Sequence, residues 1–489
     1  MNRLPLPIAL ALALAAAGCG EPRPDDVPVV ASAIGGEAEA ANPSREPLEF
    51  PEAVFLYATA QGLVRFDSNG QIVAGLAERW IVIDEGRSFI FRLRDAEWPD
   101  GSEVTAQQVV RALRRATASN SRNPLAPYLE VVDEIVEMTP RVIEVRLRRS
   151  RPDLLQLFAQ PEMAIVRPQT LGGTGPFRVE EDEQSGVLLR PAIDSERIAE
   201  EGYEGPGPAE FVQLHGERAA LALARFAARK SDLVLGGTFV DWPLVGAAGI
   251  APANIRFDPA LGLFGLAVVE QDGFLAEPEN RAAVAMAIDR DAIVQRVLPE
   301  RTPVTTLLPE QLDSSAAPAV PQWAALTLEE RRARARARVS VWRQEAEVDS
   351  VRLRVALPEG PGATMLWAHL AADLRSIGIE GERVAMRADA DLRLIDAVAP
   401  YDSARWFLVT ACRLCSEDAE LAAEAARDAP TLQNRAQRIA EADALLSAEH
   451  VFIPIAQPLR WSIVALRLDA WQRNSRAWHP LDQLRNDSE

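Results

Sequence analysis

The stretch at residues 76–116 places the strongest local constraint on the fold of this chain. SFIFRLR (88–94) alternates large apolar side chains with other residues, which is the pattern of a half-buried strand. WPDG (98–101) then supplies a proline and a glycine where a tight turn needs them. Thr105 and Gln108 have the spacing of a helix capping box, and an apolar helical face follows at Val109, Leu113 and Ala116. These features predict a strand, a tight turn and a capped helix in succession.

The length and charge of the chain limit its organisation and its partners. With 489 residues and 48% hydrophobic residues, the chain is too long for one typical domain, which predicts two lobes or more. A formal net charge of -19 argues against broad electrostatic binding to nucleic acid or anionic lipid. The basic run at 328–347 is therefore interpreted as a solvated helix. A cationic or neutral small ligand is easier to accommodate.

The N-terminus resembles a bacterial lipoprotein signal. Arg3 precedes a short apolar run at 4–17, and small residues stand directly before Cys19. We expect a signal peptide at 1–18, lipid on Cys19 and a flexible tether at 19–49, because this segment is rich in Pro, Ala, Asp and Glu. An ordinary secretory signal with an incidental cysteine is the alternative. The expected location is the periplasm, with the protein anchored to a membrane through its lipid only.

Five segments, in order, carry a recognisable pattern. The first runs from YATAQGLVRFD to VVRALRR (57–115). The other four are GGTGPFRV (172–179), ENRAAVAMAIDRDAIVQRVL (279–298), LWAHLAADLRSIGIEGERV (366–384) and RIAEADALLSAEHVFIPI (438–455). Together they resemble the family 5 extracellular solute-binding proteins, the dipeptide, oligopeptide and nickel receptors of ABC importers, and the first segment is similar to the N-terminal signature of that family.

The resemblance implies an α/β, two-lobed periplasmic binding protein fold of the class II type, with an extra subdomain in the first lobe. Lobe I would comprise 50–258, including an accessory subdomain at about 70–160, and a C-terminal return at 460–489. Lobe II would comprise 259–459. Closure of the two lobes would enclose a ligand in the cleft between them.

One loop departs from the pattern of the family. Peptide receptors of this family carry a tryptophan and an aspartate before a tyrosine, and the aspartate pairs with the α-ammonium group of the peptide. In AVAPYDSARWFL (397–408), Pro400 falls at the aspartate position while Tyr401 matches the tyrosine. Proline has neither a charge nor an N–H group, so a standard free peptide is a doubtful ligand. We expect Tyr401, Asp402, Arg405 and Trp406 to contact the ligand, or else to form a surface loop with one buried aromatic side chain.

Cys412 and Cys415 form a CxxC motif directly after this loop. The motif is compatible with a thiol redox site, half of a zinc site or a short disulfide, and we expect the disulfide. RWFLVTA (405–411) has the character of a strand and SEDAELAAEAA (416–426) that of a helix, which is the context of a redox motif. The four histidines, at 215, 369, 450 and 479, are far apart in sequence. We therefore predict no metal site, and no cofactor is implied.

These features predict a non-enzymatic, monomeric substrate-binding lipoprotein. It would bind a peptide-like or other small solute and deliver it to an ABC permease and its ATPases. The altered loop leaves open a pocket-degraded member that acts as a periplasmic interaction or sensory protein without transport. A thiol redox role for Cys412 and Cys415 is the third hypothesis.

Overall fold

The computed structural model describes residues 23–180, 186–193, 205–310 and 312–485. Its described part contains four β-sheets with helices packed on them, so the α/β prediction is confirmed. Cys19 and the expected signal peptide lie outside the described residues. The described α-helices, in chain order, are α1 (Phe50–Thr59), α2 (Ala106–Ala116), α3 (Ala126–Leu129), α4 (Leu154–Phe158), α5 (Ala219–Ala227), α6 (Trp242–Ala247), α7 (Pro278–Ala287), α8 (Arg290–Val297), α9 (Leu328–Glu345), α10 (Pro361–Ser376), α11 (Ala404–Ala411), α12 (Glu417–Asp428) and α13 (Leu432–Glu449).

A seven-stranded sheet forms the centre of lobe I. Its strands are β1 (Val29–Ile34), β8 (Phe177–Glu180), β9 (Val187–Pro191), β10 (Val212–Glu217), β11 (Leu233–Gly237), β12 (Ile255–Phe257) and β18 (Trp461–Val464). They lie in the order β12-β18-β11-β1-β10-β9-β8. The inner strand β1 pairs in parallel with β10 and β11, and the outer pairs are antiparallel.

The position of β1 corrects the sequence prediction. Residues 29–34 were expected in a flexible tether, but they form an inner strand whose side chains are mostly buried. The sequence VVASAI lacks a polar and apolar alternation because a parallel inner strand is covered on both faces. The flanking residues are rich in proline and alanine, so this short apolar run was not recognised as a strand. The expected tether is wrong for this segment.

The accessory subdomain contains the strands β2 (Val64–Phe66), β3 (Ile72–Ala74), β4 (Ala77–Ile83), β5 (Ser88–Leu93), β6 (Val132–Thr139) and β7 (Val142–Leu147). Four of them form an antiparallel sheet in the order β4-β5-β7-β6, next to a two-stranded ribbon of β2 and β3. The expected turn is present, with Gly101 at a φ of +79°, which is a left-handed conformation that suits glycine. Thr105 and Gln108 form the expected capping box of α2. Each large side chain that this helix buries, such as Leu113, stabilises the subdomain by about 1.5–3 kcal/mol.

Lobe II is built on a five-stranded sheet whose strands are β13 (Gly262–Val268), β14 (Val351–Leu357), β15 (Ile379–Ala385), β16 (Leu392–Val398) and β17 (Phe452–Ala456). They lie in the order β15-β14-β16-β13-β17. The basic run predicted as a solvated helix is α9, which buries only Ala335 and Val339.

The chain crosses between the two large sheets at residues 258–261, between β12 and β13, and at 457–460, between β17 and β18. Because β18 joins the sheet of lobe I, that lobe contains residues from both ends of the described chain. The domain limits at 258/259 and 459/460 fall within these crossings and stay predictions.

One hydrophobic core extends from the accessory subdomain into lobe II. It includes Phe91 and Phe158 on the subdomain side and Phe407 and Phe452 on the lobe II side. The subdomain therefore packs against lobe II in this structure. No helix in the described ranges is long and apolar enough to cross a membrane.

Candidate functional site

The carboxyl ends of two lobe II strands meet the start of a third at one edge of the five-stranded sheet. Strands β16 and β17 both run antiparallel to β13, so Val398 and Ala456 lie beside the first residues of β13. In open α/β sheets, ligands bind in the crevice at the carboxyl ends of the strands. The two crossings between the lobes begin at this same edge.

A cavity of about 580 Å³ opens at this edge, and we call it the cleft cavity. Its walls come from residues 261–264, the loop of Thr302–Glu310 and Leu312, residues 452–457, Asp402 and Phe407. This volume is within the range of small-molecule sites. Most lining side chains are apolar, and Glu310 and Asp402 are the charged ones among the described lining residues. The cleft cavity therefore presents apolar surface and negative charge.

Asp402 is held from lobe I by two side chains. Gln156, on α4, donates a 2.8 Å hydrogen bond from Nε2 to Asp402 Oδ2 and accepts one of 2.7 Å from the Asp402 backbone N–H. Arg476 Nη2, in the C-terminal segment, lies 2.5 Å from the same carboxylate oxygen. The side chain of Asp402 is still 44% exposed, so the carboxylate faces the cleft cavity while paired.

The backbone before Asp402 is also held from lobe I. Gln160 Nε2 donates a 2.6 Å hydrogen bond to the carbonyl of Pro400, and Arg476 Nη1 donates one of 3.1 Å to the carbonyl of Ala399. Residues 399–402 are thus part of the contact between the lobes. Pro400 contributes no charge to this contact, because its side chain is uncharged.

The other three expected ligand residues have different surroundings. Tyr401 is buried, stacks edge-to-face on Tyr128 of the accessory subdomain, and has a pKa raised well above its usual value by burial. Arg405 lies beside Tyr401 in a second, much smaller cavity. Trp406 is a buried core residue that packs against Phe407 and lines neither cavity, and its expected contact with a ligand stays a prediction. The structure therefore brings Asp402 alone of these four to the cleft cavity.

Polar contacts also connect the two crossings. The backbone N–H of Asp258 donates a 3.1 Å hydrogen bond to the carbonyl of Arg460, and Arg460 Nη1 donates one of 2.7 Å to Asp396 Oδ1. Burial raises the pKa of Asp396, and the nearby Arg460 guanidinium opposes this effect. The carboxylate of Asp258 accepts a 3.0 Å hydrogen bond from the backbone N–H of Asn474 and lies 3.1 Å from His479 Nε2. These contacts fix the region where the lobes are joined.

The family assignment comes from a match of residues 71–382, more than half of the chain, to the family described as bacterial extracellular solute-binding proteins, family 5 Middle. The chain belongs to family 5. The five sequence segments resemble this same family. Its members are binding proteins, which agrees with the prediction that the chain is not an enzyme.

Individual family 5 proteins are similar over part or all of the chain. The probable deoxycholate-binding periplasmic protein YgiS of Escherichia coli is 26% identical over 53% of this chain and 52% of its own length. The periplasmic murein peptide-binding protein MppA of Escherichia coli is 23% identical over 51% and 50%. The matched region of the chain spans about half the length of each of these curated relatives.

Solved structures of the family share the whole fold. The Escherichia coli murein tripeptide binding protein MppA superimposes with a TM-score of 0.78 at 18% identity, over 94% of this chain and 98% of the other. The Haemophilus influenzae OppA complex with the peptide RPPGFSPFR gives a TM-score of 0.76 at 15% identity, over 93% and 98%. The two-lobed α/β fold of a family 5 protein is therefore confirmed.

Cys412 and Cys415 form a disulfide in the structure. The segment before them, 404–411, is helix α11 rather than the expected strand. Buried helix and strand segments have similar composition, and Ser403 starts this helix by capping Arg405 N–H. Gln271 Nε2 also donates a hydrogen bond to the carbonyl of Leu414 within the disulfide loop. Since no strand precedes the motif, the context expected of a redox CxxC is not present.

Several site residues had no recognisable signal in the sequence. Glu310 lies in a loop whose sequence has neither helical nor strand periodicity. Gln156 and Arg476 lie outside the segment at 397–408 that was compared with the pocket motif of the family. Asp313 also has no recognisable signal in the sequence. It accepts hydrogen bonds from the Ala404 backbone N–H and from Arg435 Nε, at 2.7 and 3.0 Å. Only the spatial arrangement of separate segments identifies these residues.

Proposed function

We propose that the protein captures a small solute in the cleft cavity and delivers it to an ABC permease with its ATPases. Membership of family 5 supports solute binding, and the 580 Å³ cavity beside the two crossings carries the proposal. Closure of the lobes around such a cavity would bury most of a small ligand. Release to a permease would then require the crossings at 258–261 and 457–460 to bend.

The ligand class follows from the lining of the cleft cavity. Leu263, Phe264 and Phe452 offer an apolar surface, whereas Glu310 and Asp402 offer negative charge. Asp402 is already paired with Arg476, so Glu310 is the carboxylate available to a ligand. We therefore propose a solute with an apolar body and one ammonium group or other hydrogen-bond donor.

Two ligands suggested by relatives meet specific obstacles. The protein has Pro400 where the resemblance places the aspartate that binds the ammonium group of a free peptide, although Glu310 could receive that group. The name of YgiS contains deoxycholate, whose carboxylate would face Glu310 and Asp402 at close range. Like charges in a partly enclosed site repel, so we expect a bile acid to bind more weakly than a cationic amphiphile of similar size.

The test compares matched ligands on the mature protein by thermal shift and calorimetry. Primary alkyl amines and short apolar peptides are measured beside their N-acetylated forms, with deoxycholate as the anionic probe. We expect the amines to raise the unfolding midpoint and acetylation to remove the effect. Equal binding of acetylated and free forms would overturn the ammonium proposal, and no stabilisation by any of these or other family solutes would count against solute capture.

Variants locate the binding. Glu310→Gln is expected to weaken amine binding at least about 10-fold, as loss of a charge-assisted contact of about 1.4 kcal/mol predicts. Glu345→Gln removes an exposed carboxylate at the end of α9 and serves as the matched control. Thr302→Trp adds bulk to an exposed lining residue and is expected to block the cavity without disturbing the core.

We further propose that the protein is a monomeric, periplasmic lipoprotein with lipid on Cys19. The apolar run and small residues before Cys19 support this assignment. Cys19→Ser is expected to release the protein into the soluble periplasmic fraction. A wild-type protein that is already soluble, with an unmodified Cys19 by mass spectrometry, would contradict lipidation and leave solute binding untouched.

A further inference from the structure

A second, enclosed cavity lies between the accessory subdomain and lobe II, and we call it the arginine cavity. Its polar lining consists of Tyr128, Arg151, Asp153, Tyr401, Arg405 and Arg435. The first three belong to the accessory subdomain side and the last three to lobe II. Its volume is about 10 Å³, which is the space of a single water-sized particle.

The charges around the arginine cavity do not cancel. Three guanidinium groups, those of Arg151, Arg405 and Arg435, lie near the carboxylates of Asp153 and Asp313, and the nearby Asp402 is neutralised by Arg476, which leaves one positive charge in excess. Burial, together with the neighbouring Arg435 and Arg405, lowers the pKa of Arg151 to about 10. The three guanidinium groups line the same small cavity, so their positive charges repel one another.

Two arginine donors at the cavity also lack partners. Arg435 is 3% exposed, and its Nε and Nη2 bind Asp313 and Ser403, but its Nη1 has no hydrogen-bond partner. The Nε of Arg405 is buried and has none either. A buried unpaired donor costs about 1–3 kcal/mol, more when it is charged. A bound anion would satisfy these donors and the excess charge together.

We propose that the arginine cavity binds a single monatomic anion, chloride in the natural setting. The small volume favours a monatomic anion over polyatomic ones such as sulfate, and small shifts of the arginine side chains admit a halide, which is somewhat larger than a water molecule. The two unpaired donors belong to lobe II and Arg151 belongs to the accessory subdomain side, so the anion attracts positive charge on both sides of the contact and joins the accessory subdomain to lobe II. It acts as a fixed link that favours the packed arrangement of the lobes, independently of the solute in the cleft cavity.

Bromide tests the site directly, because it is a heavier halide with an anomalous X-ray signal. Crystals of the mature protein are soaked in sodium bromide, and an anomalous peak is expected between Arg405 and Arg435. A data set from Arg405→Gln is expected to lack that peak. No peak at this position in the wild-type protein at high bromide would overturn the proposal and indicate that water fills the cavity.

Solution stability gives a second readout. At constant ionic strength, replacing gluconate by chloride is expected to raise the unfolding midpoint in a saturable way, by about 1.4 °C at tenfold excess over the dissociation constant. Arg405→Gln is expected to lose this response. Arg149→Gln is the matched control, since Arg149 pairs with Asp428 across the same contact but does not line the cavity. An identical chloride response in both variants would contradict the site, whatever the outcome of the solute screen.

Discussion

Arg476 and Asp402 are 74 positions apart in sequence, yet Arg476 Nη2 lies 2.5 Å from Asp402 Oδ2 at the edge of the cleft cavity. Arg476 is buried and belongs to the C-terminal segment, whereas Asp402 belongs to the loop after β16. The pair therefore joins lobe I to the part of lobe II that lines the proposed binding site. It also determines which carboxylate is free to meet a ligand.

Loss of Arg476 is expected to destabilise the packed arrangement of the lobes. Arg476→Gln removes the ion pair and the hydrogen bond to the carbonyl of Ala399, and we expect the free energy of unfolding to fall by about 1–3 kcal/mol. A double-mutant cycle with Asp402→Asn in urea denaturation should give a coupling of about 1 kcal/mol, because Asp402 is half exposed. Arg79→Gln, at a side chain that is 70% exposed, is the control. A coupling near zero would show that the pair does not stabilise the contact.

Asp153 is expected to make stability depend on pH. Burial, followed by the charge of Asp313, raises the pKa of Asp153 to about 6. The unfolded chain has a lower pKa of about 3.9, so the folded protein binds more protons between the two values. The stability contributed by this group is therefore present at low pH and is lost as the pH rises from about 4 to 6.

Asp153→Asn removes this titration. We expect the variant to gain stability relative to the wild type as the pH rises from 4 to 7, in urea denaturation at each pH. Asp373, whose pKa burial also raises to about 6, stays in both proteins and cancels in the difference. Asp133→Asn, at an exposed side chain, controls for the change in net charge. A difference that does not vary with pH would contradict the assigned pKa.

The disulfide is expected to stabilise the protein without contributing to binding. Cys412 and Cys415 are three positions apart, and closure of so short a loop contributes about 2 kcal/mol. The variant with serine at both positions should lose that amount in denaturation, and reductant should have the same effect on the wild type only. Solute affinity should be unchanged. A loss of function with unchanged stability would instead revive the redox hypothesis.

Gln108 is expected to be more important for stability than its neighbour Gln107. Gln108 Oε1 accepts hydrogen bonds from Trp98 Nε1 at 2.9 Å and from the Thr105 backbone N–H at 3.1 Å, which ties the turn to the helix. Gln108→Ala should lower the free energy of unfolding by about 1–2 kcal/mol. Gln107→Ala, at an exposed position of the same helix, should change it by less than about 0.5 kcal/mol. Equal effects of the two variants would argue against the capping role.

The accessory subdomain was predictable because its signals are local. Alternation in β5, the turn at 98–101 and the capping box of α2 each depend on residues within a few positions of one another. The family resemblance extended this prediction to the two-lobed fold. Local signals failed at β1 and at α11, where short apolar segments are buried on more than one side and their composition does not distinguish helix, strand and tether.

The sequence by itself determined the α/β class and the family, and its N-terminus predicts export. Only the tertiary structure decided which groups meet at the two cavities: Glu310 with Asp402 at one, and Arg151 with Arg405 and Arg435 at the other. The physical reason is the long-range pairing of strands, which brings segments separated by a hundred residues or more to one sheet edge. Hydrogen bonds and charges across such contacts depend on distance in space, and no periodicity within a single segment encodes them.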